Sequence, residues 1–457
     1  PRFIFPNGPY ESRASVIEVN KRYKDEFKNH RSGVSRGHIL REGKLPHIRI
    51  DEIKVRGPLP EKGGGSEELA VFGKDGFQPD RALDQLFAFG ARAFRRPLDE
   101  ADRKRIRGTW EKRLAEDATP RQAALDTLKM ILCSPSFLYL SEVTPDDETL
   151  LRPHDLASRL SYALWAGPPD EELLAAAASG DLAKPEVLRR EIARLLADDR
   201  VEGFVNAFLD SWLNLRDLGN MPPPRRAARA YYAEDLPGSM KTEARLFFTH
   251  LLRGNGPVTD FLDADYTFVD KKLAKLYGLP AKDELRLADG FRRVSLDDNP
   301  RRGGILGMAG VLTVSANGVE TSPVTRGVFV SENILGIVPP PPPDEVPPIE
   351  PDVRGATTLR ERLEKHRALK TCAECHRKID PLGFGLESFD PIGRSRTNYP
   401  RPNDKAPKLK IDPSGELPSG EAYANFAEFK KLLLTTRADL FTEHLVSTVL
   451  THATGRH

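Results

Sequence analysis

Thr371-Cys372-Ala373-Glu374-Cys375-His376-Arg377-Lys378-Ile379-Asp380-Pro381 is the stretch on which the reading of the whole chain turns. It contains Cys-x-x-Cys-His, the spacing of covalent haem attachment. On one helical turn, two thiols three residues apart can each reach one edge of a porphyrin as a thioether. The next residue, His376, then faces the iron as a neutral imidazole and serves as proximal ligand. Proline cannot continue a helical ladder and restricts the residue before it, so Asp380-Pro381 is expected to stop this helix early. Two other readings stay open, a redox dithiol and a structural zinc site. A thioredoxin-like dithiol belongs beside a βαβ pattern, and a zinc site wants a second ligand pair at finger-like spacing; neither context surrounds these residues. Cys133, the remaining cysteine, follows the apolar run Thr127 to Leu132 and is expected as a buried, inert thiol.

The 457 residues are enough for several domains, each with its own core. Lys plus Arg (69) nearly balance Asp plus Glu (67), for a net charge of +2. That balance argues against nucleic acid or an acidic membrane surface as partner. Arg103, Lys104, Arg105 and Arg107 alternate with Asp99, Glu100 and Asp102 in the manner of a solvated helix face. The most apolar stretch, Ile305 to Ala316, is about half the length a bilayer requires, so no membrane span is expected. The chain starts at Pro1 without a signal-like segment, as a processed or cropped sequence would. With two cysteines in the haem motif there is no disulfide framework; the motif itself points outside the cytoplasm, to a periplasmic or extracellular location.

Outward from the motif, the pattern divides the chain. Residues 1–60 alternate in His47 to Val55 and suggest a small β remnant, the tail of a β-sandwich. Glu61 to Ser66 is linker-like. From Pro79 apolar residues recur at helical steps, giving a helical domain at 77–140 and a helical bundle at 141–282, the latter closing with helices at Thr242 to Leu252 and Asp265 to Leu279. His154 and His250 are read as ordinary surface or core histidines. Asp263 and Asp265 lack the Gly and the closing Glu of a calcium loop. A short β-like passage holds Leu285 to Leu287 and Arg293 to Leu296. Ile305, Met308 and Leu312 are expected on one side of a helix packed against a flat partner such as a haem face.

Residues 283–400 are expected to form a cytochrome-c-like haem module with a polyproline spacer at Pro339 to Pro348. Thr321 to Arg326 begins a helix ending near Gly336, and Leu359, Leu363 and His366 share a helical face just ahead of the motif. After the motif, Gly383, Gly385 and Gly393 offer positions at which the chain can hug a porphyrin edge, and Arg394 and Arg396 can pair with propionates. Residues 401–457 form a C-terminal helical domain, with a hairpin at Ile411 to Leu417 and helices near Phe426 to Leu434 and Ala438 to Leu450.

Phe94-Arg95-Arg96-Pro97-Leu98, Asp155 to Tyr162, Asp263 to Val269, Thr321-Ser322-Pro323 to Arg326-Gly327 and Cys372 to Gly393 occur in an order that resembles planctomycete-type c-haem proteins. Those proteins are built from tandem DUF1595, DUF1592, DUF1588 and DUF1585 domains, and the resemblance covers about residues 77–457. It implies a secreted c-haem protein, often with an upstream cytochrome module and a carbohydrate-binding-like β-sandwich of which residues 1–60 would be the C-terminal remnant, and it brings no established reaction.

The fold class expected is mainly α, a helical bundle followed by a cytochrome-c-like module. The function expected is electron transfer outside the cytoplasm by one covalent haem c, to a redox partner protein or an upstream cytochrome module. Cys372 and Cys375 hold the haem, His376 is the proximal ligand, and Met308 or His366 is the candidate distal ligand. No methionine follows His376, so the downstream Met ligand of small cytochromes is absent from this sequence. A filled distal position makes an electron carrier; an open one makes a peroxidase- or oxidase-like enzyme, conceivable on polysaccharide-derived substrates. The third class is a non-redox surface scaffold with a zinc or thiol site.

Overall fold

The computed structural model describes residues 71–140, 151–220, 223, 228–233, 235–279, 290–296, 302–316, 318, 321–340, 358–366, 370–400 and 407–455. The β remnant expected at 1–60, the linker at 61–66, Leu285 to Leu287 and the proline spacer from Pro341 onward lie outside them.

The described chain is mainly helical, and its first two units are three-helix packages. Helices α1 (Ala82–Phe94), α2 (Glu100–Ala115) and α3 (Pro120–Leu132) enclose Leu86, Ile106, Trp110, Leu128 and Ile131. Their ends are written locally. Asp99 and Asp102 form a capping box at the start of α2, and Thr119 with Pro120 opens α3. Cys133 departs from expectation: it caps the C-terminus of α3 and is exposed. It lies two residues, or about 200° of helical rotation, past the buried Ile131, which turns the thiol to solvent. The second package, α4 (Pro153–Trp165), α5 (Glu171–Ala178) and α6 (Pro185–Ala197), buries Ala157, Trp165, Leu173 and Leu195; the Trp165 indole donates to the Leu195 carbonyl at 2.9 Å.

Most of the described elements downstream contribute to one larger core. Its elements are α7 (Glu202–Trp212), α8 (Leu236–Gly254), β1 (Tyr266–Val269), α9 (Lys271–Tyr277), β2 (Arg292–Ser295), α10 (Ala309–Val314) and α11 (Pro323–Phe329), which runs on into a π-helical turn at Val330–Ile334. After α12 (Leu359–His366) come α13 (Lys370–Phe384), the hairpin strands β3 (Gly415–Glu416) and β4 (Ala422–Tyr423), and helices α14 (Phe426–Thr436) and α15 (Ala438–Thr454). Phe208, Phe247, Met308, Leu312, Phe389, Phe429 and Phe441 belong to a single cluster. Segments on either side of residues 282 and 400 therefore bury their apolar faces together. Trp212 and Asn333 tie α7 to the π turn reciprocally: the indole donates to the Asn333 carbonyl, and the Asn333 amide donates to the Trp212 carbonyl, both at 2.7 Å.

Four local expectations are corrected. The helix expected from Asp265 to Leu279 is strand β1 followed by α9, because Tyr266–Val269 is buried on every residue and pairs antiparallel with β2 (Tyr266 with Ser295, Val269 with Arg292), and Asp270 caps α9. Ile305, Met308 and Leu312 do not share one helix: Ile305–Gly307 is a 3-10 turn and Met308 is the extended N-cap of α10. Gly303 and Gly304 force this break with φ of 108° and 64°, pressed against the carbonyls of Ala264 and Leu262 where a Cβ would collide. The hairpin is centred later than Ile411 to Leu417; only Gly415 and Glu416 of that run are strand, paired with Tyr423 and Ala422.

The fourth correction bears on the motif. Helix α13 does not stop at Pro381 but passes through it to Phe384. Pro381 forfeits one ladder bond, to the Arg377 carbonyl, yet packing against α11 overrides that loss. Gly327 lies against the backbone carbonyl of Ile379, and Gly383 against that of Pro323, so the two helices run antiparallel in backbone contact at both crossings. The Tyr423 hydroxyl donates to the Pro381 carbonyl on the other side.

Arg326, on α11, locks this arrangement. Fully buried, it donates from Nη1 to the carbonyls of Leu386 (2.7 Å) and Phe389 (2.9 Å), and from Nη2 to those of Asp390 (3.0 Å) and Leu312 (3.2 Å). Removing one partner of a buried charged network leaves the rest desolvated and unpaired. Arg326→Leu is expected to lower stability by about 3–5 kcal/mol in urea unfolding, and Arg326→Lys to recover only part of it because an ammonium cannot span four acceptors. A loss below about 1 kcal/mol would contradict this role.

Candidate functional site

The motif occupies the first half of α13. Cys372 and Cys375 are one helical turn apart, and His376 follows at i+4 from Cys372, so all three fall on neighbouring positions of one face. The Cys372 side chain lies outside the described residues; Cys375 is a free, half-buried thiol. The His376 side chain is 15% exposed and that of Asp380 0%, and His376 Nδ1 lies 2.9 Å from Asp380 Oδ1. Against a carboxylate Nδ1 is the nitrogen that carries a proton and donates, so in the neutral imidazole the lone pair is on Nε2.

This donor set fits a c-type haem. Two cysteines one turn apart are placed as thioether attachment would require, and an imidazole whose Nδ1 faces a carboxylate would have the arrangement usual for metal-ligating histidines. Among the described residues, no group of three or more His, Cys, Asp and Glu side chains could hold a metal ion.

The other sequence-derived candidates lie elsewhere. Arg394 Nε donates to Asp390 Oδ2 at 2.7 Å. Arg396 Nη2 donates to Glu387 Oε1 at 2.6 Å and to Thr321 Oγ1 at 2.5 Å, tying the turn after α13 to the residue before α11's cap. Both arginines thus serve carboxylates of their own loop. Met308 is buried in the central core at the head of α10, and His366 ends α12 with its side chain outside the described residues. The glycines expected along a porphyrin edge make protein contacts instead: Gly383 with Pro323, Gly385 with the Phe429 ring, and Gly393 with Ala309.

A second polar constellation escapes any reading of the sequence. Glu243 on α8 is completely buried; Thr267 Oγ1 donates to its Oε1 at 2.7 Å and Tyr277 Oη to its Oε2 at 2.6 Å. Tyr277 Oη in turn accepts the Ala309 N–H at 2.8 Å, and the Arg302 guanidinium sits 3.6 Å from the centre of the Tyr277 ring. Arg302 donates to the carbonyls of Gly307 (2.8 Å) and Gly393 (2.5 Å), and Lys430 donates to the Arg302 carbonyl at 2.6 Å and to Asp263. Burial outweighs the two hydrogen bonds and the Arg302 charge, pushing Glu243 up to about 7. A lone Glu within Lys241 to Arg245 reads as a surface residue; its burial depends on Thr267, Tyr277 and Arg302, all distant in sequence.

A mainly helical chain with several cores, one of which carries a Cys-x-x-Cys-His helix braced by a buried aspartate, is the class defined by this fold and site. Comparison with known families gives the particular group. Three family models, each described as a protein of unknown function, match the chain: DUF1595 over residues 81–142, DUF1592 over 151–279 and DUF1588 over 302–399. The chain thus carries, in this order, segments that match the DUF1595, DUF1592 and DUF1588 families, which are cytochrome-c-associated domains of unknown function. No curated protein and no solved structure matches it.

Glu243 gives this fold a pH dependence. Its folded pKa is raised from an ordinary 4.5 to about 7, so the folded state binds the proton more tightly. That contribution is complete below the ordinary value and disappears as pH climbs through about 7. Stability is expected to fall by about 2–3 kcal/mol between pH 5 and pH 8, read from urea midpoints at fixed ionic strength. Glu243→Gln should flatten that slope; an unchanged slope in the variant would assign it to other groups.

Proposed function

We propose that the chain is an extracytoplasmic, mono-haem c-type cytochrome protein that transfers electrons. The observation that carries this reading is the pairing of His376 Nδ1 with the buried Asp380, on the same helix as Cys372 and Cys375. Cys372 and Cys375 would hold the haem through thioethers and His376 would be the proximal ligand. Bound there, the haem supplies a one-electron couple. The protein's own contribution is to hold the imidazole: the second half of α13 is clamped to α11 at Gly327 and Gly383, so Asp380 is fixed from behind. The family match supports the reading through its association with cytochromes c. The electron partner would be a separate redox protein or a cytochrome module of the same polypeptide, outside the cytoplasm where c-type haem is attached.

Produced in a periplasm with haem-maturation machinery, the protein is expected to show oxidised and reduced c-haem spectra that survive denaturation. Cys372→Ala/Cys375→Ala should abolish the covalent signal without unfolding the helical core. A low-spin spectrum would fit an electron carrier. High-spin iron that binds carbon monoxide would instead favour a peroxidase- or oxidase-like enzyme. A folded, colourless wild-type protein would overturn the haem reading and bring the zinc or thiol scaffold forward.

A further inference from the structure

We propose that Asp380 is the positioning residue of the site: it fixes His376 as the Nδ1–H tautomer, and its negative charge makes Nε2 a stronger electron donor to a bound metal, favouring the oxidised iron. The redox effect presupposes the haem-binding reading above; the tautomer does not. The geometry is specific. Asp380 is one helical turn beyond His376, so the two side chains face each other along α13 at 2.9 Å. Asp380 is wholly buried, whereas His376 retains some exposure, so the carboxylate lies on the protein side of the imidazole. Its backbone is also held. Ile379 and Gly383, on either side, touch α11, and the Pro381 carbonyl accepts from Tyr423. A fixed anion hydrogen-bonded to the far nitrogen of a ligating imidazole raises its basicity, and loss of such a partner typically costs tenfold or more in how well the metal state is held.

Two measurements test this independently. In haem-free protein, nitrogen NMR of His376 should show a protonated Nδ1 and a lone-pair Nε2. Asp380→Asn should lose that bias or reverse it, because a carboxamide can offer either a donor or an acceptor. A neutral wild-type His376 ring protonated on Nε2, or the same neutral tautomer in both proteins, overturns the proposal, and the wild-type result stands even if the variant folds poorly. In haem-loaded protein, Asp380→Asn should favour the reduced state by at least tenfold, a rise of about 59 mV for one electron, and lower the iron–histidine stretching frequency. Asp380→Glu, which keeps the charge, should retain a lower potential than the Asn variant. An unshifted potential and stretch in a variant with full covalent haem would refute the redox role. Failure of the wild type to take up haem would instead overturn the function proposed above, while the tautomer result would still decide whether Asp380 positions His376.

Discussion

One buried guanidinium holds the downstream half of this protein in register. Arg326 gathers the carbonyls of Leu312, Leu386, Phe389 and Asp390, which come from the end of α10 and the turn following α13. A charge removed from water costs several kcal/mol unless its hydrogen bonds are replaced, and burial duly lowers Arg326 from its ordinary value to about 10. The same pressure makes the site unforgiving. A fork of fixed donors meets four carbonyls only when α10, α11 and the turn are all in place, so the residue selects one packing rather than merely adding affinity. Glu387 and Arg396 sit next to this knot and are themselves paired at 2.6 Å, with Thr321 bridging back to the start of α11.

Helix α13 takes its rigidity from that knot and from glycine. At Gly327 and Gly383 the two backbones meet without an intervening side chain, and Gly385 admits the face of Phe429. Such contacts leave little freedom for the helix to rotate or slide, because interiors are packed to the density of organic crystals. The consequence reaches His376, one turn before Asp380. Its orientation is inherited from a helix whose other end is clamped, as the narrow tolerance of ligation would require of the proposed haem ligand. The helix can run through Pro381 for the same reason: one missing ladder bond is small beside two backbone crossings and the Tyr423 hydrogen bond.

Much of this was legible in the residues. The apolar spacing of α1, α3, α4 and α7, the Thr321-Ser322-Pro323 start of α11, and the Cys-x-x-Cys-His helix follow local rules that a sequence states directly. What stayed hidden depends on residues far apart in the chain. Arg394 and Arg396 looked like charges available to propionates, but Asp390 and Glu387 claim them, one at i+4 across a turn and the other through a bend closed by Arg326. Asp380 was visible only as the residue before a proline. Its place at i+4 from His376 was a usable signal, masked by the expectation that the helix ended there. Strand β1 reads as part of a helix until β2, more than twenty residues away, supplies its hydrogen bonds.

The Glu243 constellation has a further structural consequence, because its members come from both sides of the junction between the DUF1592 and DUF1588 segments. Glu243, Thr267 and Tyr277 lie in the first; Arg302 and the Ala309 N–H that Tyr277 accepts lie in the second. Lys430, still farther along, closes the set on the Arg302 carbonyl. Buried polar groups depend on the partners they have, and removing one segment would leave members of the other desolvated and unpaired. The two segments are thus parts of one cooperative body rather than beads on a chain. It follows that the helical block is part of the support for α13: the core that buries Phe208 and Phe247 is the same one that buries Leu386 and Phe389 behind the motif. Electrostatics within that block, Glu243 included, act on the same folded unit that orients His376.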